Sequence, residues 1–383
     1  MPWKETDVAN ERIEFVVGAL SGPGNFSALC REFGVSRKTG YKWLKRFEEV
    51  GSLPLLVEHS RRPHQSPSKT PEAIELRVEA LRQQYGWGSK KLQCLLAEEG
   101  LALPRITIDR ILKRRGLVSR DRVAKPASQR FERQEPNELW QMDFKGEYRR
   151  HGRPWIYPLS LLDDHSRFCL GLYALRHPDH DSVKGRLVRT FKRYGLPGAM
   201  LVDHGTPWWS PANGHGLTRL SVFLIRQDIR LIYSGIGHPQ TQGKVERFHR
   251  TLGESVGRNG ELTSVRAYQQ ALDGFRREYN EVRPHEALGM ERPVRRYSPS
   301  RRQYRDKPPE WEYPEGGEVR RLNASGVLKY ESGQYFVCEA LAQRRVWYRR
   351  FENRLLVTYR SLHIREIDLE TGRTTAVVRP VGD

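Results

Sequence analysis

Between residues 137 and 260, three closely spaced apolar runs, at about 139–147, 155–163 and 167–176, are followed by two more, at 199–203 and 229–234. Helical spacing fills 180–194 and 215–227. Short joins, Arg149 to Pro154 and Asp164-His-Ser166, fold the first three runs back on one another. The later runs are separated by helix-length stretches, which is what a parallel crossover needs. The pattern predicts three antiparallel strands extended by parallel ones, an α/β layered core with a mixed five-stranded sheet and helices on its faces.

Three acidic residues stand out within that frame. Asp143 lies in Leu139-Trp-Gln-Met-Asp-Phe-Lys145, where an unpaired carboxylate is costly unless a cation relieves it. Asp203 ends the strand Ala199-Met-Leu-Val-Asp203 beside Gly205, at the kind of strand end where sites form in open α/β sheets. Glu246 lies in a helical stretch whose buried stripe is Val245, Phe248 and Leu252, with Glu246, His249 and Arg250 on another face. Taken singly, each carboxylate reads as a surface residue, and Glu246 with Arg250 as an i,i+4 ion pair. Together they are the parts that hold hard divalent cations, which prefer carboxylate oxygen and share their shell with substrate phosphate. Two such ions clamp the attacking and leaving oxygens of an in-line phosphoryl displacement. Asp163 and Asp164 are rival carboxylates, more in keeping with a hairpin turn shaped with Ser166 and Arg167. His204 and His249 read equally as groups orienting phosphate or water and as partly buried polar groups.

Before the core, residues 1–58 read as a helix-turn-helix module. Its first helix carries Ile13, Val16, Val17 and Leu20, and Phe26–Phe33 forms a second. Gly34 and Ser36 supply a cap and a turn. The third, from Arg37 to Val50, turns Tyr41, Leu44 and Phe47 inward and Arg37, Lys38, Lys42, Lys45 and Arg46 outward. The last helix of such a module enters the DNA major groove; a solvated basic face is the plainer reading. A linker follows at 59–70, where Arg61 and Arg62 precede Pro63 in the manner of a minor-groove arm. Residues 71–118 repeat the helix-turn-helix-like pattern, with Ser89 and Thr107 as caps and Lys113 and Arg114 near the end. This second module is either a DNA reader or a spacer. Residues 119–136 read as a further linker, 137–300 as the core with a helical extension, and 301–316 as a linker rich in Pro, Arg and Glu. Short alternating strands over 317–383 predict a small all-β barrel.

Charge narrows the partners. Lys and Arg number 66 against 46 Asp and Glu, giving +20, and the excess is spread: 25 basic and 17 acidic residues in 1–136, and again in 137–300. Such a field favours polyanions and makes their binding salt-dependent. Cys30, Cys94, Cys169 and Cys338 are scattered without metal-ligand spacing, so neither zinc nor a disulfide framework is expected. No signal peptide and no membrane-spanning run is read, and a cytoplasmic setting is expected.

The motifs Trp140-Gln-Met-Asp143, Leu161-Leu-Asp-Asp-His-Ser-Arg167, Val202-Asp-His-Gly205, His238 through Arg250, and Tyr279-Asn280 through Arg283-Pro-His285 occur in one order. In these the chain resembles bacterial insertion-sequence transposases of the Asp-Asp-Glu type, with a retroviral-integrase-like core. The opening residues and Ser36 through Trp43 resemble one branch of that family, and the likeness runs from residue 1 to about 295. The resemblance implies a ribonuclease-H-like fold for 137–260 and two Mg²⁺ (or Mn²⁺) held by Asp143, Asp203 and Glu246. It also implies DNA ends and a DNA target as partners, and action as a homo-oligomer, at least a dimer, near the bacterial nucleoid. Asp203 and Glu246 stand 43 positions apart, more than is usual in the family, with the surplus assigned to Trp208 through His215. Gly253 stands where the family often has a basic residue, leaving Arg247 or Arg250 to replace it; Lys244 adds basic reach. The expected activity is metal-dependent strand cleavage and strand transfer. The alternatives are an inert DNA-binding regulator descended from such an enzyme and a nuclease that only cuts.

Overall fold

The computed structural model describes residues 8–22, 24–52, 69–118, 132–146, 155–210, 216–234, 243–258 and 262–380. The chain divides into two compact units, 1–71 and 72–383. Arg61, Arg62 and the join at Arg149 to Pro154 lie outside the described residues.

The first unit holds α1 (Val8–Leu20), α2 (Phe26–Glu32) and α3 (Arg37–Val50). Asn25 caps α2 through Ser27 N–H, and Ser36 caps α3 through Thr39 N–H, each satisfying a donor the helix start would otherwise leave bare. Phe15, Val16, Cys30 and Trp43 form the core. The inward face of α3 is therefore displaced from the expected one: Trp43 is buried, whereas Tyr41 is 60% exposed. Gly40 is the reason. A Cβ there would stand 2.8–2.9 Å from Phe15, Cys30 and Phe26, so the bare backbone sets the approach of the helices and swings Trp43 inward.

The second unit begins with α4 (Glu72–Tyr85), α5 (Ser89–Glu98) and α6 (Arg105–Arg114) around Val78, Leu81, Trp87, Leu92, Leu96, Ile108 and Ile111. Both expected caps shift. Gly88, not Ser89, precedes α5, and Pro104, three residues before Thr107, precedes α6, consistent with its fixed φ at a helix entry. Nor is this bundle an isolated module. Lys90 and Lys91 pair with Glu286 at 3.4 and 3.3 Å, Arg292 pairs with Glu98, and the Arg283 guanidinium lies 5.4 Å from the Trp87 ring centre.

The core contains β1 (Leu139–Phe144), β2 (Tyr157–Asp163), β3 (Cys169–Leu175), α7 (His180–Tyr194), β4 (Ala199–Val202), α8 (Arg219–Arg226), β5 (Arg230–Tyr233), α9 (Gly243–Arg258) and α10 (Val265–Arg277). The sheet runs β3-β2-β1-β4-β5, with β1 antiparallel to β2 and parallel to β4, and β4 parallel to β5. This is the mixed five-stranded, ribonuclease-H-like arrangement expected. Trp140, Met142, Leu159 and Leu161 face α7 and α8; Leu162, Leu172 and Ala174 face α9 and α10.

The edge of the outer strand β3 that no neighbouring strand pairs is guarded by two side-chain amides. Asn280 accepts from Cys169 N–H at 2.8 Å and donates to Cys169 O at 3.0 Å; Gln269 accepts from Ala174 N–H at 2.9 Å and donates to Leu172 O at 3.0 Å. Unpaired strand edges invite pairing with another chain, and these amides occupy the positions an added strand would use. Residues 300–305, expected as the start of a linker, are strapped to the core instead. Leu196 N–H donates to Arg302 O at 2.7 Å, and the Arg302 guanidinium donates to Pro197 and Gln227 carbonyls.

The C-terminal region corrects a further expectation. Five strands, β6 (Glu318–Arg321), β9 (Arg345–Phe351), β10 (Arg354–Tyr359), β11 (Leu362–Asp368) and β12 (Thr374–Pro380), form an antiparallel sheet ordered β12-β11-β10-β9-β6. The hairpin of β7 (Val327–Tyr330) and β8 (Gly333–Phe336) is a separate two-stranded sheet. The sheets do not close into a barrel. Leu217, Val222 and Ile225, in and beside α8, share their hydrophobic core, so the apolar face packs on the α8 side of the mixed sheet rather than on itself.

Replacing Asn280 by Ala strips partners from a buried N–H and a buried carbonyl, at about 1–3 kcal/mol each. Asn280→Ala is expected to lower the urea-unfolding free energy by more than Gln269→Ala, whose own amide is half-buried where Asn280 is buried; equal losses would contradict this ranking.

Candidate active site

Alternation along β1 decides where Asp143 points. Trp140 and Met142 fill one side of the sheet, so Gln141 and Asp143 face α9. Leu139, Trp140 and Gln141 pair in parallel with Ala199, Met200 and Leu201. Carrying that register two residues on brings Asp143 level with Asp203, on strands about 4.8 Å apart. Asp203 is held from its own loop: Oδ1 accepts from Gly205 N–H at 3.1 Å and from the Trp208 indole N–H. Trp208 is buried and stacks on Phe144 at 5.3 Å, so one ring braces the residue after Asp143 and the carboxylate of Asp203.

Glu246 lies in the first turn of α9, exposed, above a stripe of Val245, Phe248 and Leu252. His249 does not share its face. The ring is only 8% exposed, with Nε2 at 2.9 Å from Ser160 Oγ and Nδ1 at 3.7 Å from Asp143 Oδ2. Ser160 is the cross-strand partner of Asp143, so His249 pins the helix of Glu246 to the strands behind Asp143. Burial, reinforced by Lys145, lowers its pKa to about 4, leaving it neutral at neutral pH.

The electrostatics report the convergence of the three acids. Burial first, then the charges of Asp203 and Glu246, push the Asp143 carboxyl up to about 7. Among the described residues no three His, Cys, Asp or Glu side chains are gathered as a finished metal cage. The chemistry of the donors nevertheless fits Mg²⁺, which takes one or two carboxylates plus waters and substrate phosphate. It also fits the strain on Asp143, which a cation would relieve.

The rival carboxylates are structural. Asp163, fully buried, accepts from Ser166 N–H and Oγ and from Asn137 N–H; Asp164, also fully buried, accepts from Gln141 Nε2 and Arg133 N–H. Lys244 does not stand where DNA reach was expected. Its ammonium lies 2.6 Å from Asp164 Oδ1, tying the start of α9 to the β2–β3 turn, and burial lowers its pKa to about 8. Arg247 and Arg250 are exposed on α9. In the first unit Arg37, Lys38, Lys42 and Lys45 are exposed along α3; the Lys42 and Arg46 cations lie 4.9 and 4.8 Å from the Trp43 ring centre. Lys113 is exposed, whereas Arg114 pairs with the buried Glu75. His204 packs edge-on to Trp209 at 5.0 Å. Ser160, Trp208 and the amides of Asn280 and Gln269 escaped the sequence reading.

Two family models described as "Integrase core domain" match residues 133–239 and 227–293. The chain carries an integrase core. A "Helix-turn-helix domain" matches 11–64 and a "Homeodomain-like domain" 39–112, bearing out the resemblance drawn from the motifs. The transposase for transposon Tn552 of Staphylococcus aureus is 21% identical over 281 residues, 64% of this chain and 56% of that protein. The 31.7 kDa protein of insertion element IS407 of Burkholderia multivorans is 24% identical over 62% of this chain and 84% of its own length. The chain thus spans little more than half of the Tn552 protein. The solved catalytic core domain of HTLV-2 integrase aligns with 43% of this chain and 98% of its own at 12% identity and TM-score 0.34. The integrase core family is metal-dependent.

The two perturbed groups predict a pH signature. Between 3.8 and about 7 the folded chain keeps a proton on Asp143 that the unfolded chain has lost, so this contribution to stability falls as pH rises. Between about 4 and 6.5 the unfolded chain binds a proton that buried His249 refuses, so its contribution rises with pH. Asp143→Asn removes only the first. In metal-free buffer the stability of Asp143→Asn relative to the parent chain is expected to grow from pH 4 to 7 and level off above, read by urea unfolding. A constant difference would mean that the carboxyl is not raised.

Proposed function

We propose that this chain is a DNA transposase that binds the terminal inverted repeats of an insertion sequence and catalyses metal-dependent strand cleavage and strand transfer in the bacterial cytoplasm. The observation that carries the reading is Asp143: a carboxylate in an apolar strand, level with Asp203, its pKa raised first by burial and then by Asp203 and Glu246. Two Mg²⁺ (or Mn²⁺) held by these three residues would supply the charge that activates a water or a 3′-OH and stabilises the leaving oxygen. The chain's own part is positioning. Trp208 fixes Asp203, while neutral His249 fixes the helix of Glu246 and leaves Asp143 able to release its proton to solvent when a cation binds. No covalent protein intermediate and no nucleotide are needed, since one phosphodiester is exchanged for another. The exposed cations of α3, with Lys113, Arg247 and Arg250, are the DNA contacts of this reading; Arg61 and Arg62 extend it along the linker. A homo-oligomer, at least a dimer, would hold two ends together.

Asp143→Asn and Glu246→Gln are expected to cut joining of a labelled element end to target DNA by at least about 10²–10³-fold, the scale of losing one preorganised charge stabiliser. Binding of the end, followed by mobility shift, is expected to be kept; joining at the parent rate in either variant sinks the assignment.

A catalytically inert regulator is the second reading, favoured by the absence of a closed cage among the described residues. Cation binding separates the two. Mn²⁺ affinity, measured by calorimetry, is expected to tighten about tenfold per pH unit up to 7, as the proton on Asp143 is displaced, and to level above. No measurable Mn²⁺ binding at pH 8, with DNA present, decides for the regulator.

A further inference from the structure

The outer edge of the sheet carries a cleft of about 380 Å³ that the carboxylate site does not use. Its floor is β3 and its walls are α7 and α10. Arg186, Arg189 and Arg193 line one wall, Arg266 and Arg276 the other, and Asp273 is the one acid among the lining residues. None of the five guanidiniums stands within ion-pair distance of a carboxylate among the described residues. Several are steadied by aromatic side chains instead: Arg186 lies 5.6 Å from the Tyr173 ring centre, Arg193 5.1 Å from that of Tyr194, and Arg276 donates to Tyr194 Oη at 3.2 Å. Asp273 accepts from the Gln269 amide. Like charges facing each other across a cleft repel, and an anion between them turns that repulsion into attraction.

We propose that this cleft is a second DNA-backbone site, seating phosphates of a duplex segment at the edge of the sheet, two strands from Asp143. The inference rests on the reading that the chain works on DNA. Spacing selects a phosphodiester chain among polyanions. Arg186, Arg189 and Arg193 recur at three and four residues along one face of α7 and span roughly 10 Å of helix axis. A duplex strand advances about 3.4 Å per phosphate, so the row parallels about three phosphates. The same geometry disfavours a second copy of this chain. Gln269 and Asn280 already occupy the strand edge, and two such walls would bring like charge to like charge.

The test uses the full-length chain in metal-free buffer with chelator, so that cleavage plays no part. Fluorescence anisotropy follows its binding to a mixed-sequence duplex between 50 and 200 mM salt. Arg189, Arg193 and Arg266 are exposed, so R189E/R193E/R266E is expected to fold, as unchanged melting would verify. Losing three phosphate contacts is expected to make the slope of log affinity against log salt shallower by about 2.7, while R189K/R193K/R266K keeps the parent slope. A slope unchanged in the Glu variant overturns the proposal. So does a parent slope combined with lost binding of a polyglutamate peptide, which reassigns the cleft to an acidic protein, or with altered sedimentation, which reassigns it to self-association. Failure of strand joining in the parent chain, with the slope difference intact, sinks the transposase reading and leaves the cleft standing.

Discussion

Asp143 destabilises the fold for as long as nothing offsets its charge. The strand around it is apolar, its alternate residues are committed to the core, and its half-buried carboxyl faces a buried imidazole. A buried carboxylate without a cation meets the cost by keeping its proton, and the rise to about 7 is that cost made visible. The surroundings of Asp143 follow from it. A protonated His249 would neutralise Asp143 permanently and compete with an arriving cation. Burial instead holds the ring neutral and turns it to a positional use, hydrogen-bonded to Ser160. Trp208 treats Asp203 differently, donating to one oxygen and leaving the carboxylate's charge for other work.

The same logic of tethering extends outward. Glu246 sits on an exposed helical turn and has no buried side chain of its own to fix it. Its geometry is borrowed from Lys244 on one side, bound to Asp164, and from Val245, Phe248 and His249 beneath. The β2–β3 turn that Asp163 and Asp164 shape is therefore an anchor for α9 as well as a hairpin. The bundle of α4 to α6 adds a further brace. Its ion pairs with Glu286 and Arg292 are largely exposed and individually weak, but the burial of Trp87 and the packing of Val282 against the bundle core are not. A bundle anchored this way transmits its orientation to the segment that follows α10, which a flexibly linked module would not.

Much of this was legible because it depends on local patterns. The cap at Ser36, apolar runs over the five core strands, and two aspartates at strand positions that punish charge are properties of short windows. What escaped depends on partners distant in sequence. His249 looked polar by spacing because the hydroxyl that makes its burial tolerable, Ser160, lies 89 residues earlier. Lys244 looked like a DNA contact because Asp164 is 80 positions away. Tyr41 looked buried because the turn of α3 is set by a glycine whose absent Cβ matters only once Phe15 and Phe26 are in place. The alternation of β7 to β11 was readable, but the outer strands β6 and β12 and the absence of closure were not: whether a sheet curls on itself depends on what covers its apolar face, and here Val222 and Ile225 do.

Three carboxylates are an unfavourable neighbourhood for DNA, and the distribution of charge resolves the conflict. A phosphate approaching Asp143, Asp203 and Glu246 without metal meets repulsion at close range. Near pH 7 Asp143 is about half protonated, which offsets part of one negative charge, and a divalent cation offsets two. Beyond a Debye length of about 8–10 Å the acids are screened, whereas the surplus of Lys and Arg around them is distributed over the whole surface. A polyanion is thus attracted by the molecule as a whole and repelled only at the site, until a cation arrives there. On the proposed function, metal and DNA would each be the other's condition for binding at the carboxylates, and the thermodynamic coupling between them would be positive and reciprocal. The price of storing three acids in one place is then met only in the assembled complex, where the chemistry is wanted.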